Sequence, residues 1–109
     1  MPRPELLETL RGLELRLRSA PVQAFFAGCD APTRARFVEC REQISAQLGR
    51  LTTAEFAEIS AELESLERDL RTGAARLAKQ TTALKSAEAI LETLGTVLGL
   101  TARIASLAV

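Results

Sequence analysis

The sequence predicts an all-α protein: three short helices at the amino end, then one long heptad-patterned helix, assembled as a helical bundle or coiled coil. Leucine recurs at seven-residue steps, Leu63, Leu70, Leu77, Leu84, Leu91 and Leu98, with Phe56 one step before and Ala105 one step after. That is the 3.5-residue period of helices wound against partners. No proline follows Pro32, so nothing of that kind interrupts the repeat. Of 109 residues 47% are hydrophobic, yet only four are aromatic, all Phe, so a modest core must be built from aliphatic side chains.

The first helix is expected from about Pro4 to Arg18. Leu6, Leu10, Leu13 and Leu17 recur at steps of four and three, Leu7 and Leu15 widen the stripe, and Pro2 or Pro4 suits a first turn where a missing amide costs little. Pro21 disfavours helical geometry at Ala20 and starts a second short helix, Val22 to about Gly28, carrying Phe25 and Phe26. Asp30-Ala31-Pro32 reads as a cap and a start. The third helix then presents Phe37, Cys40, Ile44 and Leu48, and Gly49 supplies a terminating residue. In Leu51-Thr52-Thr53-Ala54-Glu55-Phe56, Thr52 and Glu55 are spaced as a capping box and Leu51 and Phe56 as a hydrophobic staple, which places the start of the fourth helix at Thr53.

Gly73 offers a turn, but the leucines keep one seven-residue count on both sides of it, and a hairpin loop would preserve that count only by accident. The phase therefore favours one helix from Thr53 to Leu107, roughly 80 Å long at about 1.5 Å per residue. Residues 1–50 form the amino-terminal helical segment and 51–109 the long helix, together one domain. The second row of the seam contains Ile59, Leu66, Gly73, Gln80, Ala87 and Leu94. Gly73 permits close approach of a second backbone, and Gln80 is either a buried register-fixing residue or simply exposed. The short helices cannot cover such a rod, so the seam of Phe56, Leu63, Leu66, Leu70, Leu77, Leu84, Leu91, Leu94 and Leu98 is expected to face a second copy of the chain or another helical protein.

Chemistry-bearing residues are sparse. The chain has no His and two cysteines, Cys29 and Cys40; that is too few ligands for structural zinc and a spacing that matches no redox motif, so no metal or cofactor is expected. Two reduced thiols are the first expectation, a disulfide across a helix pair the second. No phosphate loop, nucleophile elbow or calcium loop occurs, and the expectation is a protein that is not an enzyme. The 14 basic and 14 acidic residues cancel, which gives no electrostatic drive toward nucleic acid. Residues 51–72 nonetheless carry six carboxylates against two arginines, and Glu55, Glu58, Glu62, Glu67 and Asp69 form a candidate polar recognition surface or a plain solvated face. The leucine row resembles a leucine zipper, but the stretch ahead of the leucines is acidic where DNA-binding zippers carry a basic helix. Arg34, Arg36 and Arg41 are interleaved with Glu39 and Glu42 and make a poor groove reader.

Function is therefore expected to be protein–protein interaction or assembly: an adaptor, chaperone or structural component that oligomerises through the leucine seam, with a cytoplasmic location as the default. The runner-up is a membrane-acting helical protein, toxin-like or secretion-linked, using residues 89–109, where Gly95 and Gly99 would permit close helix packing.

Overall fold

Leucine spacing alone accounts for α1 (Pro4–Leu17), whose Leu6, Leu7, Leu10, Leu13 and Leu17 are all buried. Leu15, expected to widen the stripe, instead points outward and is 73% exposed. The structure is a computed structural model describing residues 3–109; the expectation attached to Pro2 lies outside the described residues. A short α2 (Ala20–Ala27) follows an extended Ser19, with Pro21 in its first turn. Phe26 stacks on Phe37 with ring centroids 4.1 Å apart, and Phe25 meets Phe26 edge-on at 5.2 Å.

Asp30 caps α3 (Ala31–Thr52), its carboxylate accepting from the Thr33 amide at 3.2 Å. Gly49 does not end this helix, which runs on to Thr52. The reason is burial: Leu51 continues the stripe of Phe37 and Ile44 into the core, while Gly49 faces open space. The capping box at Thr52 and Glu55 is not formed either. Thr52 is still helical and its hydroxyl donates to the Leu48 carbonyl at 2.7 Å. Residues 53–60 leave the helix and fold Phe56 into the core, only 4% exposed. The working cap lies further on, where Ser60 accepts from the Leu63 amide at 3.1 Å and starts α4 (Ala61–Ala83). A helix begun at Thr53 would hold Phe56 on its side; burying that ring wins over the local cap.

The single long helix is likewise replaced by two. After α4 the chain reverses through Leu84-Lys85-Ser86, with Leu84 in the left-handed region at φ 50° and ψ 47°. Ser86 then caps α5 (Ala87–Ser106) by accepting from the Ala89 amide at 3.1 Å. Gly73 lies inside α4 and serves a different purpose from a turn. A Cβ built there would stand 3.1 Å from Cγ2 of Val97, so the missing side chain lets α5 approach α4 closely. The backbone that the small residue admits belongs to the same chain.

Helices α1, α3, α5 and α4 close a ring in that order, and α4 and α5 share the most extensive contact. Arg3 reaching Glu67 and Arg16 reaching Thr82 show that α1 and α4 run parallel. Glu14 accepting from Ser45 and Arg18 reaching Glu42 show that α1 and α3 run antiparallel. Helices α3 and α4 face each other across the bundle, so residues 53–60 cross its end, where the Val109 amide donates to the Glu55 carbonyl at 2.8 Å. The longest dimension is 44 Å, about half the length of the expected rod. Buried Thr81, Thr93 and Thr101 donate to carbonyls of their own helices, which satisfies their hydroxyls inside an aliphatic core.

Candidate functional site

The leucine seam is the interior of this chain. Phe56, Leu63, Leu66, Leu70, Leu77, Leu91 and Leu94 are each at most 4% exposed. Leu84 and Leu98 are half-buried and pack against the same core. The stripe is thus sheltered by its own chain once α5 folds back on α4, and the premise that the short helices leave it uncovered no longer applies.

The carboxylates separate into two groups. Glu55, Glu58, Glu62 and Asp69 stand exposed at the crossing segment and the amino half of α4. Glu67 leaves that surface. It is 6% exposed and faces α1, where Arg3 grips it with two nitrogens, Nε donating to Oε2 at 3.0 Å and Nη2 donating to Oε1. The hydrogen bond to Glu67 holds the Arg3 guanidinium above its ordinary range, with Glu64 and Glu5 adding to the same field. This forked pair ties the amino ends of two parallel helices. Sequence spacing places Glu67 four residues after Leu63 and next to Leu66, a buried-face position, and that signal marks it as an inward carboxylate.

Two clefts run along the outer junction of α4 and α5. The one at the turn has a volume of about 290 Å³ and is lined by Ala83, Ser86, Ala89 and Gln80 together with Lys79 and Lys85. These are the only two lysines in the chain, both are exposed, and among the described residues neither is ion-paired. The second cleft, about 160 Å³, continues past Gln80 and Ala89 toward Arg76, Glu92 and Gly73. Gln80 separates the two, and its Oε1 is buried without a hydrogen-bond donor among the described residues. A half-buried Gln80 is neither the core register-fixing residue nor the freely solvated one; it lines both clefts. The sequence holds a trace of this groove in the small residues Ala83, Ser86 and Ala89, spaced three apart, which the leucine count obscures.

Two cations of α3 make contacts within the chain. Arg41 donates to Gln23 and lies 5.7 Å over the Phe37 ring, and Arg34 donates to the Cys29 carbonyl at 2.8 Å. Both cysteines are free thiols, half-buried, and burial pushes the Cys40 thiol up from its ordinary pKa. No cluster of metal-binding side chains occurs among the described residues. Gly95 and Gly99 face open space on the outside of α5. Fold and surface together define an all-α helical bundle with a small-residue cleft on one corner. Comparison with known protein families, curated proteins and solved structures finds no match to this chain.

Proposed function

We propose that the chain is a non-enzymatic interaction module that binds another helical protein through the outer corner of α4 and α5. The observation that carries this is the cleft at the turn: it is lined by the small residues Ala83, Ser86 and Ala89 and by two lysines without an ion-pair partner among the described residues. Interaction sites combine an apolar centre with a polar rim in this way. The leucine seam contributes indirectly, by holding the two helices that form the cleft, and the exposed carboxylates Glu58, Glu62 and Asp69 put the opposite charge on the crossing segment and the amino half of α4. The test is site-specific photocrosslinking in the source cells, with the reactive residue placed at Ala83 and, as a control, at Arg11 on the outer face of α1. A discrete crosslinked species from position 83 alone supports the reading, and a second copy of the chain would register as a dimer. Identical patterns from both positions, or none from 83, refute it.

A membrane-acting role is the second reading, favoured by one observation: α5 is 20 residues long with a mean hydropathy of 1.2 over its most apolar stretch. In that role α5 would have to leave the bundle and give up the burial of Ile90, Leu94, Val97 and Ile104. Flotation of the full chain with zwitterionic and anionic vesicles tests it, and recovery of all the protein in the vesicle-free fraction removes it.

A further inference from the structure

We infer that the cleft at the α4–α5 turn receives an acidic helical segment of the partner, seating one aliphatic side chain on Ala83 and Ala89 and pairing carboxylates with Lys79 and Lys85. This rests on the interaction reading above and names the chemistry of the occupant. The floor contributes shape: Ala83, Ser86 and Ala89 leave a shallow hollow of about 290 Å³, suited to a leucine-sized side chain entering from a neighbouring helix. The rim contributes charge. Lys79 belongs to the last turns of α4 and Lys85 to the reversal, and the amino end of α5 adds a partial positive charge between them.

The neighbouring charges sharpen the choice of partner. Glu92 lies one turn along α5 beside Arg76 in the adjoining cleft, and Glu88 faces the α3 side with Arg36. Those two clefts mix both signs, whereas the charged residues lining the cleft at the turn are the two lysines alone, which suits a few carboxylates set around an apolar residue and gives no continuous track for a nucleic-acid backbone. The competing cleft between α2 and α3 also carries cations, but Arg34 and Arg41 there already donate to Cys29 and Gln23. The lysines have no such partner among the described residues.

The test titrates the isotope-labelled full chain with a short synthetic amphipathic helix bearing a central leucine flanked by glutamates, followed by NMR. A matched peptide with lysines in place of the glutamates is the control. Shifts confined to Ala83, Ser86, Ala89 and the Gln80 side-chain amide are expected for the acidic peptide only. Lys79→Glu combined with Lys85→Glu, both at exposed positions, should weaken that binding about tenfold or more and create binding of the lysine peptide. Equal response to both peptides, no shifts up to the solubility limit, or shifts centred on Arg34 and Arg41 overturn the inference. If position 83 still crosslinks a protein in cells while the acidic peptide fails, the chemistry assigned to the occupant is wrong and the interaction reading stands.

Discussion

Replacing Gly73 and Val97 singly and together measures whether α5 lies against α4 in solution. At an exposed helix position, glycine to alanine stabilises by about 0.5–1 kcal/mol, because alanine loses less backbone freedom on folding. In this chain the new Cβ would stand 3.1 Å from Cγ2 of Val97, tighter than ordinary contact, and the overlap should offset most of that gain. Gly73→Ala is therefore expected near neutral, within about 0.5 kcal/mol. Val97 is fully buried, and Val97→Ala removes two methyl groups and leaves a void, costing about 2 kcal/mol. In the double variant the methyl added at position 73 enters the vacated space without overlap. Its propensity gain is then realised and part of the void is filled, so the pair should be about 1 kcal/mol more stable than the sum of the singles. Urea denaturation of the four proteins, with midpoints and slopes compared, provides the readout. Additivity within about 0.3 kcal/mol would refute the hairpin contact, since residues on one continuous helix about 24 positions apart have no means of coupling.

Leu77→Ala should cost about 2–5 kcal/mol, whereas Leu84→Gly should cost less than about 1 kcal/mol because relief of the left-handed backbone offsets the lost packing; thermal denaturation distinguishes them. Arg3→Ala should destabilise by about 1–2 kcal/mol by leaving the Glu67 carboxylate covered and unpaired, and adding Glu67→Leu should restore most of the loss in chemical denaturation. The cap hydrogen bonds from Thr33 hold the Asp30 carboxyl below its ordinary pKa, so its ionised form stabilises the fold above the unfolded value of about 3.9. That contribution is lost as pH falls through the lower folded value. Asp30→Ala should therefore be less stable than the parent at neutral pH and converge with it in strong acid, as followed by denaturant midpoints across the pH range, while Asp30→Asn keeps the cap.

The amino-terminal half is legible in the sequence because its signals are local. Pro21, Asp30 and Pro32 act on their own turns, and the leucines of α1 declare one face. The end of α3 departs from expectation because Gly49 and the Thr52–Glu55 pair are local features overruled at a distance by the burial of Leu51 and Phe56. The long helix gives way to two for a subtler reason. An antiparallel pair carries the same kind of apolar stripe on each arm, and here the reversal falls on Leu84 itself, so the seven-residue count survives a change of direction. Periodicity reports which residues are inward and is blind to whether the chain has turned. The cleft is illegible because its alanines and lysines acquire meaning only when Ala83 and Ala89, on different helices, are brought side by side.

The path of residues 53–60 over the end of the bundle has a kinetic consequence. Helices α4 and α5 meet across a three-residue reversal, so their association closes almost no loop and is the natural early event. Docking α3 beside α5 requires the chain first to stretch from one corner to the opposite one, at a greater cost in chain freedom. The carboxyl-terminal pair is therefore expected to form first and the amino-terminal helices to dock on it, and in stopped-flow refolding a longer strap around Phe56 should slow the docking while leaving the first event untouched.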